Sequence, residues 1–571
     1  MARTIAIGEQ DFGRIIEKNC FYIDKTGFIK SWWENEDTVT LITRPRRFGK
    51  TLTMNMLEYF FSLNHKGRSD LFSGLKIWEE EKYQKLQGMY PVIFLSFAGV
   101  KGRDYATVRE KICQQIVNLY EDHKYLVETG FLQDESASFF KRVSADMNDA
   151  AAEISLSQLS RYLYKYYGKK VIILLDEYDT PMQEAFLNGF WKELSAFLSG
   201  LFNAAFKTNP YMERAVMTGI TRVGKESIFS DLNNLKVITV TSNRYASDFG
   251  FTEDEVQDAL EEYGLADQKE AVKQWYDGFR FGSISCIYNP WSVLNFLAER
   301  KLASYWVNTS SNKMIGELVR YGSREIKSDF EIFMQGGTIQ TTVNEEIVFD
   351  QLNNSQEAVW SFLLASGYLK IVSVDDSALR RSFLGKVKYE LALTNGEIQI
   401  MCALLVRSWF STVNSSYSYF VQALLENNVK GMNVSINKIS EKTFSYFDVG
   451  GESQAECFYH GFVLGLIAEL ADRYRITSNR ESGDGRYDVM LEPISEADPA
   501  MILEFKTADK KDGENGLKNA VNHAWKQILQ KKYEAELAAH GILREHIRIY
   551  GFAFSGKEVM IDGGSIQEFS L

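Results

Sequence analysis

The sequence predicts an α/β protein with a phosphate-loop nucleotide-binding half first, a helical connector with a small winged-helix-like module next, and a second α/β unit last. Three observations predict it. The basic run RPRRFGKTL (Arg44 to Leu52) lies between an apolar, β-branched segment and an amphipathic one. The apolar run VIILL (Val171 to Leu175) ends in two adjacent carboxylates, Asp176 and Glu177. Near the C-terminus, an aspartate-bearing hairpin precedes a strand on which Glu504 and Lys506 share one face, because side chains two apart on a strand point the same way.

TVTLIT (Thr38 to Thr43) reads as a strand, TLTMNMLEYFF (Thr51 to Phe61) as a helix, and the run between them as a tight loop. Such a loop turns backbone N–H groups at a helix start toward a nucleotide's phosphates. Lys50 is placed to reach the β and γ oxygens, and the Thr51 hydroxyl to sit on Mg²⁺. Arg46, Arg47, Phe48, Gly49, Lys50, Thr51 and Leu52 are therefore the expected ATP-binding residues. The usual first glycine, five positions before Gly49, is Arg44 here.

PVIFLSF (Pro91 to Phe97) is the next strand candidate, followed by helical patterns from Asp104 to about Tyr120 and from Ser155 to Tyr167. The continuous apolar run before Asp176 suits a strand buried on both faces of a parallel sheet. Carboxylates at its C-terminal end project into the crevice where such sheets bind ligands. Asp176 is expected to hold magnesium through water, and Glu177 to polarise the attacking water. The strand candidate between loop and acid strand fits the additional-strand class of these folds. RAVMTGITRVG (Arg214 to Gly224) ends in Thr218, Thr221 and Arg222, a position suited to sensing the γ-phosphate, with Arg222 offsetting charge during hydrolysis.

Composition bounds the rest. A chain of 571 residues, at a prior of roughly 100 to 200 per domain, holds three or four domains, each able to bury a core. The apolar runs are a few residues long, far short of the roughly 20 that span a bilayer. MARTIAIGEQDFGRII has no apolar stretch followed by a small-residue cleavage site, so a cytoplasmic protein without membrane contact is expected. The five cysteines lack CxxC spacing, which argues against a zinc site and a disulfide framework. The net charge of −12 does not advertise nucleic-acid binding. The densest basic positions beyond the loop are Lys506, Lys510, Lys511, Lys526, Lys531 and Lys532.

The signatures FYIDKT, RPRRFGKT, LLDEYDTP, TGITRVGKESIFSDLNNL, WYDGFRFG and YNPWSVLNFL, spread over roughly residues 5 to 310, resemble the AAA-ATPase-like proteins of bacteria and archaea. The resemblance implies that Arg44 is a family trait. An AAA-like domain is expected over 1–250 and a helical lid and connector over 251–450. Thr252 followed by Glu255 has capping-box spacing, and no chemistry is assigned between 312 and 450.

The last unit is expected over 451–571. AECFYHGFVLGLIAEL (Ala455 to Leu470) reads as an apolar helix with Glu456 and His460 on one face. RITSNRESGDGRYDVMLEP then gives a hairpin whose second strand brings Asp488, and AMILEFKT gives the strand with Glu504 and Lys506. Two carboxylates on adjacent strands beside a lysine suit a magnesium pocket for phosphodiester hydrolysis. Asp488 and Glu504 are the expected metal ligands, Lys506 the group that orients the nucleophile or offsets developing charge, and Glu456 a further ligand. This set resembles the PD-(D/E)XK nuclease superfamily, with its restriction-endonuclease-like fold. Gln527 and Tyr533 match the QxxxxxY of the nuclease-like domain commonly fused to such ATPases, and GRYD stands where Pro-Asp is usual.

The combined expectation is an ATP-hydrolysing module coupled to a Mg²⁺-dependent nuclease acting on DNA in preference to RNA, with room for a homo-oligomer. The competing expectation is an ATP-driven switch or remodeller whose nuclease fold only binds nucleic acid or a partner protein.

Overall fold

The computed structural model describes residues 2–569 except 223–228, 230–231, 307–312, 321, 335, 347–350, 353–354, 379–384, 410–413, 444–462, 464–465, 468–469, 471, 479–480, 483–484, 496 and 509–512. The chain divides into two compact units, one of Met1–Ile315 with Gln340–Ile398 and one of Gly316–Ile339 with Gln399–Leu571. Among the described residues no helix is long and apolar enough to cross a membrane.

The first unit is built on five parallel strands, β1 (Val39–Thr43), β2 (Val92–Ser96), β3 (Val171–Asp176), β4 (Met212–Gly219) and β5 (Leu235–Ile238), in the order β2-β3-β4-β1-β5. Every residue of β1 and β3 is buried, which is why β1 reads as an apolar, β-branched segment and β3 as an unbroken apolar run up to Asp176. The helix Lys50–Phe61 packs Leu57, Phe60 and Phe61 into one core with Ile42, Ile172, Leu174 and Val216 of the sheet. The strand that separates β1 from β3 in space is β4, whereas β2, which lies between them in sequence, stands outside β3. Register aligns Thr43 with Gly219 and Leu175 with Met217, so the ends of β1, β3 and β4 open on one edge.

The helix Glu253–Glu262 starts at a complete capping box between Thr252 and Glu255. A hairpin of β6 (Phe279–Phe281) and β7 (Ile284–Ile287) precedes the helix Pro290–Glu299. The buried carboxylate of Glu397 fastens this region by accepting from Ser292 Oγ at 2.7 Å and from the Tyr305 and Trp306 backbone N–H groups at 2.5 and 2.9 Å. A three-stranded sheet has the order β8 (Ile339–Thr341), β10 (Lys388–Leu393), β9 (Leu369–Asp375), beside the helix Gln356–Ala365.

The second unit holds a mixed sheet of β11 (Tyr474–Ser478), β14 (Val489–Pro493), β15 (Ala500–Thr507), β16 (Ile547–Ser555) and β17 (Glu558–Ser565), in that spatial order. The short strands β12 (Glu481–Ser482) and β13 (Gly485–Arg486) form the hairpin before β14. Only β15 and β16 run parallel; the other neighbours are antiparallel. Phe420, Met432 and Ile436, from the helices Asn414–Leu425 and Val429–Thr443, share a core with Leu503, Phe505 and Phe552. The described residues of the helices Asn414–Leu425 and Val429–Thr443 thus pack as part of the C-terminal unit.

Strand β17 ends the sheet, and its outer backbone groups would invite another strand. Two asparagines one helical turn apart satisfy them. Asn433 accepts from Ile561 N at 2.9 Å and donates to Ile561 O at 2.7 Å; Asn437 does the same at Val559, at 2.9 and 2.7 Å. Asn433→Ala and Asn437→Ala are each expected to cost about 1–3 kcal/mol, since each strips partners from two backbone groups. Urea denaturation reads this as a lower midpoint.

Candidate functional site

Gly49 starts the helix Lys50–Phe61 in the left-handed region at φ +77°, and Arg47 before it also takes a positive φ of 65°. This bend closes the loop that leaves β1. Arg44 needs no glycine-like conformation. Its N–H donates to Gly219 O at 3.1 Å, continuing the β1–β4 pairing, and its φ is not positive. Its guanidinium is fully buried, donates to the carbonyls of Thr43, Thr239 and Tyr245 at 2.9, 2.7 and 3.3 Å, and lies 4.4 Å from the Phe281 ring centre. Burial lowers its pKa to about 9, so at neutral pH it remains charged. Arg44→Gly is expected to cost about 3 kcal/mol or more, by orphaning those carbonyls and emptying the site. A thermal melt would show it.

Lys50 is 4% exposed and donates to Arg44 O at 3.0 Å and Pro45 O at 2.8 Å. Burial lowers its pKa, against the pull of Glu177, Asp179 and Asp176. Asp176 is wholly buried and accepts from Thr51 Oγ1 at 2.8 Å and Thr218 Oγ1 at 2.5 Å; burial raises its pKa. Glu177, at φ 52°, donates its N–H to Thr218 Oγ1 at 3.2 Å. One cavity of about 590 Å³ is lined by Arg46, Arg47, Gly49, Lys50, Thr51 and Glu177 and, among its apolar residues, by Phe21, Phe251 and Trp291. That is ample for a small-molecule ligand, within the range of ~300–1,000 Å³.

The loop's other side chains divide between cavity and core. Arg46 donates to Gln183 Oε1 at 3.0 Å, and the Arg47 guanidinium stacks 4.3 Å from the Trp291 ring centre. Phe48 turns inward, 4.7 Å from the Phe279 ring centre, and Leu52 packs against the core with Phe60. Arg222 pairs with Glu346 at 2.8 Å, and neither lines the cavity.

In the second unit, β15 alternates between a core face, with Leu503 and Phe505, and the face that carries Ile502, Glu504 and Lys506. Glu504 is 1% exposed; its Oε1 accepts from Lys506 Nζ at 2.9 Å and from Gln527 Nε2. Gln527 also donates to the Tyr533 hydroxyl at 3.0 Å. Asp488 Oδ2 accepts from Phe505 N at 2.7 Å, which fixes it at the same end of the sheet. Burial, then the nearby Asp488 charge, raises the Glu504 pKa to about 8 despite Lys506. The helix Gly513–Gln530 reaches Glu504 because Gly551 lies beneath it. A Cβ there would meet Val521 O at 2.8 Å and Ala524 Cβ at 3.0 Å.

Residues 6–229 match the sequence model of a predicted AAA-ATPase family, and residues 454–563 that of the PD-(D/E)XK nuclease superfamily. The chain joins an AAA-ATPase-like domain to a PD-(D/E)XK nuclease-like domain. An uncharacterized protein in the vnfD 5′ region of Azotobacter chroococcum mcd 1 is 28% identical over 321 residues, 56% of this chain and 56% of its own. The chain therefore spans about half the length of that relative.

The AAA-ATPase-like domain brings Lys50, Thr51, Asp176 and Glu177 to one edge of its sheet, whereas Arg222 is paired with Glu346 and does not line the cavity. The nuclease-like domain brings Asp488, Glu504, Lys506 and Gln527 together; Glu456 and His460 lie outside the described residues. Among the described residues no cluster of three His, Cys, Asp or Glu side chains is assembled for a metal. The donor chemistry nonetheless fits magnesium. Glu504 Oε2 is buried without a hydrogen-bond partner among the described residues, a second carboxylate is adjacent, and all the candidate donors are hard oxygens. The sequence reading missed Asp179. Its Oδ2 accepts from Ile220 N, Thr221 N and Thr221 Oγ1 at 2.9, 3.0 and 3.1 Å, and the only trace of it in sequence is an aspartate inside an apparent turn, YDTP.

Proposed function

We propose that the AAA-ATPase-like domain binds and hydrolyses ATP at the Arg46 to Leu52 loop, and that the nuclease-like domain cuts DNA with Mg²⁺, under the control of nucleotide occupancy. The observation that carries the nuclease half is the Glu504 carboxylate buried beside Asp488 and Lys506, whose Oε2 makes no hydrogen bond of good geometry among the described residues. An acceptor with no donor in a buried site is costly unless a ligand completes it. Magnesium, when bound, lowers the pKa of a coordinated water and offsets charge on the phosphate.

The protein's own groups supply the rest. Asp488 and Glu504 would hold the metal, Lys506 orients the nucleophile, and Gln527 fixes the Glu504 rotamer through Oε1. In the ATPase, Lys50 leaves the Arg44 and Pro45 carbonyls for the phosphates, Thr51 and Asp176 would hold a magnesium ion that offsets phosphate charge, and Glu177 orients the attacking water. The movements that accompany nucleotide binding are the means by which occupancy reaches the cutting site.

The test incubates wild type and Lys506→Ala with linear duplex, circular and single-stranded DNA and with RNA, each with Mg²⁺ or EDTA and with or without ATP. Expected are Mg²⁺-dependent cuts in DNA by wild type and a loss on the order of 10²-fold in Lys506→Ala. Retention of nucleic acid without any cleavage would favour the non-cutting alternative.

A further inference from the structure

One hydrogen-bond network, part-buried at Arg46 and buried beyond it, links the phosphate loop to the end of β4. The Arg46 guanidinium donates to Gln183 Oε1 at 3.0 Å, and Gln183 Nε2 donates to Asp179 Oδ2 at 3.3 Å. That same oxygen gathers Ile220 N, Thr221 N and the Thr221 hydroxyl. Gln183 is 8% exposed, Asp179 1% and Thr221 0%, so the bonds from Gln183 inward form away from water, where they hold geometry best, while the Arg46 end is only part-buried at the cavity. Pro181, at the start of the helix Thr180–Asn188, pre-sets the turn between Asp179 and Gln183.

Arg46 is held firmly at its backbone and lightly at its guanidinium. Its carbonyl accepts from Trp306 Nε1 at 3.1 Å and Asn289 Nδ2 at 3.5 Å, which clamps the backbone, while its side chain lines the cavity and rests on a neutral amide oxygen. A carbonyl acceptor is a weak resting place for a guanidinium. A phosphate offers a charge-assisted, bidentate alternative.

We propose that Gln183 and Asp179 are positioning residues for the phosphate-loop reaction, holding Arg46 ready to move onto the terminal phosphate of a nucleoside triphosphate and locking that move to Thr221. The inference rests on the ATP reading of the same cavity. Gln183 touches no reacting atom in this scheme; it sets where Arg46 starts, and Asp179 makes the end of β4 follow. Misplacing a charged group by about an ångström costs on the order of 10²-fold in rate.

The experiment measures kcat and KM for ATP hydrolysis in wild type, Arg46→Met, Gln183→Leu and the double variant, with a thermal melt of each. Lys50→Ala sets the background. Leucine keeps the glutamine's bulk, and Gln183→Met replaces it if the leucine variant melts early. If Gln183 acts through Arg46, Gln183→Leu lowers kcat on the order of 10-fold while KM moves less than about 3-fold, and adding it to Arg46→Met lowers kcat no further. Additive losses, an unchanged kcat in Gln183→Leu, or a loss that tracks only the melting temperature would each overturn it. A wild type with no turnover above Lys50→Ala would instead overturn the ATP reading, and this inference with it.

Discussion

Lys50→Ala is expected to reduce ATP hydrolysis at least about 10²-fold, because no other lysine in the cavity is placed at the helix start where the β and γ phosphates would lie. Its fold should tolerate the change. Burial already works against the Lys50 charge, and its bonds go to two loop carbonyls at the cavity that solvent can reach once the side chain is gone. A melting temperature within a few degrees of wild type, together with lost phosphate release, is the expected pattern. A variant that keeps hydrolysing would remove Lys50 from the mechanism.

Glu504→Gln carries the second large effect, and its two consequences have opposite signs. Cleavage should fall at least about 10²-fold, since an amide replaces a metal-holding carboxylate. Stability of the chelated protein should rise. The folded-state pKa of Glu504 stands above its unfolded value of 4.5, at about 8, so the folded protein favours the protonated form. Stability from that shift is fully present below the unfolded pKa and is lost as pH rises through the folded one. With EDTA present, Glu504→Gln should therefore match wild type in acid and gain on it increasingly from about pH 5 to 8. Urea midpoints at several pH values measure this. A midpoint below wild type at pH 8 would show that Glu504 stabilises the fold rather than waits for a ligand.

Much of this site geometry was legible in the sequence because chemistry and spacing coincide there. GKT after a strand fixes Lys50 and Thr51 at a helix start, an apolar run before Asp176 places that acid at a strand end, and E-x-K on a strand forces Glu504 and Lys506 onto one face. Arg44 was not legible in the same way. Its position reads as a missing glycine, yet the loop bends at Arg47 and Gly49 instead, and the carbonyls Arg44 holds at Thr239 and Tyr245 come from about two hundred residues away. Asn433 and Asn437 were silent for a similar reason: an asparagine pair one turn apart looks like solvated helix surface until a distant strand edge meets it. Arg222 shows the remaining gap. Its place after β4 suited a phosphate sensor, but sequence alone held no sign that Glu346 would meet it.

On the proposed reading, one chain carries two separable hydrolytic sites. The most direct measurement follows ATP hydrolysis and DNA cleavage in the same reactions for wild type, Lys50→Ala and Glu504→Gln, all with Mg²⁺. Glu504→Gln is expected to hydrolyse ATP and leave DNA whole, while Lys50→Ala loses ATP turnover and with it any ATP-dependent part of cleavage. Undiminished cutting by Glu504→Gln, or undiminished ATP turnover by Lys50→Ala, would contradict it.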